Sequence, residues 1–141
     1  MSDTARSIYI TSPEGETGKS TIALGVLDLL VRKVAKDDGA EMLALLGEVM
    51  RLDDTRLRAA AERLETATQS VLDAQRRDPD VAQSVAVAYL DAAGWLLGGW
   101  MLARAAAEDA GTYGNVAEFY MRRLLPRSAA RIMEIDGALA A

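Results

Sequence analysis

Length, composition and charge limit the folds and functions that this chain can have. Its 141 residues are about one domain's worth, 50% of them apolar and only 5% aromatic, so Ala, Leu, Val and Met must build most of the core. A net charge of −5 argues against nucleic acid or an anionic membrane as the main partner. The lack of cysteine and histidine excludes disulfides, thiolate chemistry and the commonest general base and metal ligand. Because the N-terminus has no signal-peptide pattern, we expect a cytoplasmic protein.

The first segment has the layout of a phosphate-binding loop. The β-branched and aromatic run Ser7–Thr11 predicts a strand, and an apolar helical pattern begins after Thr21. Between them, glycines let backbone N–H groups turn inward, and the helix N-terminus adds a positive dipole. The predicted ATP-Mg or phosphate contacts are Gly15, Thr17, Gly18, Lys19, Ser20 and Thr21. Lys19 would reach the terminal phosphates, and the Ser20 hydroxyl would bind Mg²⁺.

This strand-loop-helix, P-loop-like segment departs from the standard pattern, because Pro13 stands where a glycine is expected. Over residues 7–35 it resembles the variant loop of dethiobiotin-synthetase-like ATPases, and most closely the N-terminus of long bacterial phosphate acetyltransferases. After Lys33 the chain turns into another helix, so a single strand has no sheet to join within this chain. Two interpretations stay open: a working nucleotide site, or an orphaned fragment of a nucleotide-binding fold.

A composition shift marks the predicted domain boundary. All three lysines precede residue 37, every later basic residue is arginine, and the turn-forming Asp37-Asp38-Gly39 stands at the change. We therefore divide the chain into a P-loop-like fragment, residues 1–36, and a helical domain, residues 37–141.

Capping residues and apolar spacing predict the first helices of the second domain. Asp38 with Glu41 forms a capping-box-like start for a short helix that ends near Leu52. Asp53 or Asp54 caps the next helix. Its stripe is apolar except for Thr68 and Gln75, and consists of Leu57, Ala60, Ala61, Leu64, Ala67, Thr68, Val71, Leu72 and Gln75. Asp78 and Pro79 then supply an N-cap and a first helical residue.

The stretch from Ser84 to Glu108 predicts a buried central helix with Trp100 at the middle of the core. One helical face carries Val85, Tyr89, Ala93, Leu96, Trp100 and Ala103, and a second, small and partly polar face carries Asp91, Gly94, Gly98 and Ala105. A membrane span is disfavoured, because Asp91 near its middle would cost roughly 3 kcal/mol in a bilayer. We expect Asp91 to pair with an arginine such as Arg122 or Arg123, and the Gly94-x-x-x-Gly98 spacing to admit a close neighbour.

The remaining residues predict a loop and a last helix. Gly111–Gly114 reads as a loop, Asn115 with Glu118 repeats the capping signature, and Pro126 must kink or restart the helix that follows. The fold class is therefore mostly α: an up-and-down four-helix bundle preceded by the strand-loop-helix segment.

The sequences AYLDAAGWLLGGWMLARAA and VAEFYMRRLLPRSAARIMEIDGAL resemble the C-terminal accessory domain of long-form bacterial acyl-CoA dehydrogenases, including 3-methylthiopropanoyl-CoA dehydrogenase-like proteins. The resemblance covers about residues 40–139 and is a pattern of core residues that includes Phe119-Tyr120. It implies a non-catalytic helical domain of fatty acid metabolism that forms a homo-oligomer or binds a helical partner. FAD and the catalytic glutamate belong to the upstream part of that parent family, and we assign no catalytic residue here.

Three hypotheses follow. The chain is a helical interaction module, or an ATP- or phosphate-binding P-loop enzyme related to phosphate acetyltransferase, or a fusion of two gene fragments with no function as a unit.

Overall fold

The computed structural model describes residues 36–140, and within that range the chain forms six helices joined by short turns. In chain order they are α1 (Ala40–Met50), α2 (Thr55–Arg77), α3 (Pro79–Ser84), α4 (Ala86–Glu108), α5 (Ala110–Arg123) and α6 (Pro126–Ala140). This confirms a helical class. The four helices expected from the sequence correspond to six here, because the central helix is preceded by the short α3 and the last one is divided into α5 and α6.

A sharp turn precedes α1. Asp38 and Gly39 both have left-handed backbones, with φ of 59° and 76°. The capping role predicted for Asp38 is wrong: its carboxylate pairs with Arg76 of α2, while the Asp37 carboxylate accepts the Gly39 and Glu41 N–H groups at 3.0 and 3.3 Å. Gly39 is buried beside Leu72 of α2, where an added Cβ would come within 2.8 Å of a Leu72 methyl group.

Helix α2 follows the sequence prediction closely. Asp54 is its N-cap and accepts the N–H groups of Arg56 and Leu57 at 2.9 and 3.2 Å. Every residue of the predicted stripe is buried except Gln75, which is partly exposed. The helix ends at Asp78, which caps α3 through the Asp80 N–H, with Pro79 at the first helical position as expected.

Helix α4 is central, as predicted, and packs against α2, α5 and α6. Tyr89, Ala93 and Leu96 are buried on its core face, as expected. Trp100 is only partly buried, so the expectation that it occupies the middle of the core is wrong. Tyr89 is the largest fully buried side chain, and its hydroxyl finds a partner in Thr68 of α2.

Gly111–Gly114 is helical, so the loop predicted there and the start at Asn115 are both wrong. Asp109 ends α4 and caps α5, since its carboxylate accepts the Thr112 N–H at 3.0 Å and the Thr112 hydroxyl at 2.6 Å. One strong cap therefore outweighs the low helix propensity of two glycines.

The chain breaks again before Pro126, as predicted. Leu124 and Leu125 leave the regular helix, and α6 restarts with Pro126 as its first residue. Ser128 of α6 is buried and donates a hydrogen bond to the Ala92 carbonyl of α4 at 2.9 Å. This bond fixes α6 along the central helix.

Candidate interaction surfaces

The predicted phosphate site lies outside the described residues. This applies to the strand at residues 7–11 and to the contact set Gly15, Thr17, Gly18, Lys19, Ser20 and Thr21. Among the residues that are described, no group of three carboxylate, histidine or cysteine side chains is placed to hold a metal ion.

Asp91 is paired with an arginine, but not with either of those predicted. The Nε of Arg131 on α6 donates to its carboxylate at 2.6 Å, and Arg131 also donates to Glu134 at 2.8 Å. The hydrogen bond to Glu134, and after it the bond to Asp91, raises the pKa of Arg131. The sequence pointed to Arg122 or Arg123 because it does not show the break at Leu124–Leu125, which changes the direction of the chain before α6. Asp91 thus helps to hold α6 on α4.

The predicted close approach occurs at Gly98 and not at Gly94. Tyr120 of α5 lies against Gly98 and Gly99, and its hydroxyl donates to the Trp95 carbonyl at 2.8 Å. A Cβ at Gly98 would overlap the Tyr120 hydroxyl oxygen, whereas nothing lies within 4 Å of the Cβ position at Gly94. Among the residues that the structure describes, a neighbour therefore fills only the Gly98 half of the Gly94-x-x-x-Gly98 motif.

The two tryptophans lie at different edges of α4. Arg127 of α6 stacks over the Trp95 ring, with its guanidinium carbon 5.0 Å from the ring centroid. Arg104 covers the Trp100 ring in the same way at 4.9 Å. Both rings are partly exposed and carry a cation on one face, so they border the surface without forming an apolar patch of their own.

One outward face of α4 is apolar, and the other helices of residues 36–140 leave it largely uncovered. Val87, Gly94 and Met101 follow one another at seven-residue intervals; Val87 is 39% exposed, Met101 60% exposed, and Gly94 is open to solvent. Leu90 and Leu97 flank them and are only partly buried. We call these five residues the α4 stripe. Helix α4 is apolar nearly all round, and the helices described beside it do not cover all of its apolar surface.

A second apolar surface lies on α5. Tyr113, Val116 and Phe119 are 42%, 52% and 59% exposed, and we call them the α5 patch. The resemblance places Phe119 among core residues, and this is wrong for the chain as described. Ala117 and Met121, on the other face of α5, are the residues buried there.

Asp109 and Arg123 stand at opposite ends of the same face as the α5 patch, seven residues before and after Val116. Hydrogen bonds to the Thr112 side chain and then its backbone lower the pKa of Asp109, so its carboxylate is charged at neutral pH. Arg123 makes no ion pair within residues 36–140.

Two shallow grooves run beside α2. One of about 360 Å³ lies between α2, α4 and α5, and one of about 400 Å³ lies between α2, α5 and α6. Arg56 lines both and donates to both carboxylate oxygens of Glu118 on α5, at 3.1 and 3.0 Å. This hydrogen bond is the main cause of the lowered pKa of Glu118. Besides this ion pair, Asp53 and Asp54 line the first groove and Arg63 lines the second.

Within the described range, α4 is the one helix long and apolar enough to cross a membrane by length and composition. Core helices of soluble proteins pass the same test. Seven α4 residues are buried against the bundle, which is consistent with a soluble protein.

Comparisons with known proteins agree with this architecture. The family model described as "Acetyl-CoA dehydrogenase C-terminal like" matches residues 31–139. No curated protein matches the chain. No solved structure matches it either.

Proposed function

Because this chain belongs to the acetyl-CoA dehydrogenase C-terminal-like family, and so contains a non-catalytic helical domain related to the C-terminus of acyl-CoA dehydrogenases, we propose that it is an oligomerisation domain. Its partner is a second copy of the same chain. The α5 patch is the contact surface.

The observation that carries the proposal is the exposure of Tyr113, Val116 and Phe119 on one outward helix face. Large apolar side chains grouped on a surface mark protein contacts more often than single exposed ones do. Aromatic residues are also enriched in the centre of protein interfaces.

The order of residues along α5 is self-complementary. If two copies of α5 lie antiparallel around a two-fold axis at Val116, Tyr113 of each copy faces Phe119 of the other. The same axis brings Asp109 of each copy opposite Arg123 of the other, which pairs the charges at both ends. A two-fold contact needs this kind of match between a surface and itself, and both the aromatic and the charged residues provide it.

A cysteine at the proposed axis tests the contact. The chain has no cysteine, so Val116→Cys introduces a single thiol. On a two-fold axis it should form a disulfide-linked dimer under mild oxidation, because the two Cβ atoms approach each other. Met133→Cys on α6 is the matched control, since Met133 is 74% exposed and lies outside the patch.

Sedimentation over a concentration series measures the association without a cross-link. The wild-type chain should dimerise, Phe119→Glu should stay monomeric, and added salt should weaken the wild-type dimer because its end contacts are charged. Equal cross-linking at positions 116 and 133, or a monomer at all concentrations, would overturn the proposal.

A second candidate function rests on the sequence Gly15–Thr21, which resembles the variant phosphate-binding loop of dethiobiotin-synthetase-like ATPases. If ATP-Mg binds there, millimolar ATP-Mg should raise the melting temperature by mass action, and Lys19→Ala should abolish the rise. The absence of any shift would remove this candidate. It would also favour the interpretation that residues 1–36 are a fragment fused to the helical domain. The family match begins at Val31, before that predicted boundary.

FAD is a cofactor of the parent enzymes, and the described residues do not fit it. The two grooves beside α2 are shallow, with volumes of about 360 and 400 Å³. We propose a colourless, cytoplasmic protein that binds neither nucleic acid nor membrane, based on its acidic charge and composition. Flavin absorbance in the purified protein would contradict this.

A further inference from the structure

The groove of about 400 Å³ between α2, α5 and α6 continues along α2 and α6 into a second hollow of about 480 Å³. Arg63 and Ala129 line both hollows, so the two are joined, and we call them together the α2–α6 groove. Its buried lining is small or apolar and consists of Ala60, Ala67, Met121, Leu125 and Ile132.

The lining of the α2–α6 groove repeats every seven residues on both helices. On α2, Ala60 of the first hollow is followed by Ala67 of the second. On α6, Leu125 is followed by Ile132 at the same interval. The two helices therefore run parallel, and the hollows lie about 10 Å apart at the helical rise.

This geometry matches a third helix. Two side chains seven residues apart project from the same face of a helix at this spacing, and such side chains pack into the hollows between residues of the facing helices. The alanines of the groove let another backbone approach closely. Met133, which is 74% exposed, lines the second hollow and would be covered by a helix lying there.

The charges of the groove indicate what its occupant carries. Arg63 lies where the two hollows meet and makes no ion pair within residues 36–140. Arg56, by contrast, already pairs with Asp54 and Glu118. An occupant that fills both hollows therefore meets an unpaired cation between its two apolar contacts. Asp136, on the α6 side of the second hollow, favours a basic residue on the opposite flank of the occupant.

We propose that the α2–α6 groove binds an amphipathic helix of a partner protein. The partner helix carries two large apolar residues seven positions apart, and between them a carboxylate that faces Arg63. This is recognition of a helix in a groove, with the apolar residues as anchors and the charge setting the register.

A different protein is favoured over a second copy of this chain. No two of the exposed large apolar residues on the described helices are seven positions apart, so those helices do not offer the required face. The proposal is also independent of dimerisation, because the α5 patch lies on the outward face of α5 and contributes no residue to the α2–α6 groove.

Synthetic peptides test the proposal by fluorescence anisotropy with the full chain. The probe is a labelled, alanine-rich helical peptide with two leucines seven residues apart and a glutamate four residues after the first. A second peptide has lysine in place of the glutamate. The glutamate peptide should bind several-fold more tightly than the lysine peptide at low salt, because only its charge is attracted by Arg63.

Charge reversal in the protein separates this contact from non-specific attraction. In Arg63→Glu the order of the two peptides should invert. Arg77→Glu is the matched control, since it makes the same change in net charge on an exposed α2 residue outside the groove, and it should keep the wild-type order. Phe119→Glu should also bind as the wild-type chain does, so the absence of a dimer would not affect this test.

Amide chemical shifts locate the bound peptide without relying on those variants. On addition of the glutamate peptide, the largest changes should fall in residues 59–67 and 125–136. Equal binding of the two peptides, an unchanged order in Arg63→Glu, or shift changes centred elsewhere would overturn the proposal, as would the absence of binding at millimolar peptide.

Discussion

The hydroxyl groups of Thr68 and Tyr89 are hydrogen-bonded 2.8 Å apart inside the core, between α2 and the central helix. Thr68 also donates to the Leu64 carbonyl at 2.7 Å. Because a threonine hydroxyl has one proton, Tyr89 must be the donor to Thr68. The fully buried phenol thus depends on one acceptor from another helix.

This direction of donation predicts unequal effects of removing either partner. Thr68→Val leaves the buried Tyr89 hydroxyl without an acceptor and should lower the free energy of unfolding by about 1–3 kcal/mol. Tyr89→Phe leaves Thr68 still bonded to Leu64 and should cost about 1 kcal/mol. Urea unfolding of both variants and of the double variant measures the difference. A larger loss for Tyr89→Phe than for Thr68→Val would contradict this donor assignment.

Tyr89 also predicts a loss of stability in alkali. Burial raises its pKa above the ordinary value of 10.0, so above pH 10 the unfolded chain ionises there while the folded one does not. Its contribution to stability is complete below pH 10 and is lost as pH rises toward the folded-state pKa. The melting temperature should therefore fall less steeply between pH 8 and 11 for Tyr89→Phe than for the wild-type chain. Parallel pH profiles would count against this effect.

Gly98 is required by the packing of Tyr120, and this predicts a loss of stability for Gly98→Ala. A Cβ there would overlap the Tyr120 hydroxyl oxygen and lie 3.1 Å from its Cζ, so the ring must move and its bond to the Trp95 carbonyl must lengthen. We expect a cost of about 1–3 kcal/mol, typical of overpacking.

Gly47→Ala on α1 is the matched control, because Gly47 is exposed within a helix and has nothing within 4 Å of its Cβ position. Alanine should stabilise there by roughly 0.5–1 kcal/mol. Comparison of the two unfolding curves isolates the steric effect, and a neutral or stabilising Gly98→Ala would show that Tyr120 can move aside freely.

The Arg56–Glu118 pair predicts an acid-dependent contribution to stability. Its hydrogen bonds lower the pKa of Glu118 below the ordinary 4.5, so the contribution is complete above pH 4.5 and is lost as pH falls through the lower folded-state pKa. The melting temperature of Glu118→Gln should lie below that of the wild-type chain at pH 7, and the gap should close in acid.

The control for this pair is Glu62→Gln, an exposed α2 carboxylate that makes no ion pair within the described range. Its melting temperature should follow the wild-type value at every pH. Because Arg56 and Glu118 are both largely solvent-exposed, added salt should reduce the effect at pH 7. A difference in melting temperature between Glu118→Gln and the wild-type chain that is independent of both pH and salt would indicate a packing role for the side chain.

Local signals in the sequence were enough for much of the fold. The α2 stripe follows from apolar spacing, and Asp54, Asp78 and Pro126 act at helix ends through their own side chains or ring. Each of these effects operates within a few residues, so it can be read without the tertiary structure. The central position of α4 follows from its composition for the same reason.

The errors concern choices between competing signals and between distant partners. Gly111 and Gly114 favour a loop, but the Asp109 cap stabilises the start of a helix there. Arg131 and not Arg122 or Arg123 pairs with Asp91, because the break at Leu124–Leu125 changes the direction of the chain before α6. The exposure of Phe119 depends on which face of α5 packs against α4, and the sequence around Phe119 does not show that tertiary contact.

Most contacts join helices that are close in sequence, and this affects how the chain folds. α4 packs chiefly on α5 and α6, the two helices that follow it directly, and α1 packs on its successor α2. Contacts between neighbours in sequence close short loops, so they form quickly. We therefore expect the three C-terminal helices to assemble within the transition state, with docking of α1 and α2 following it.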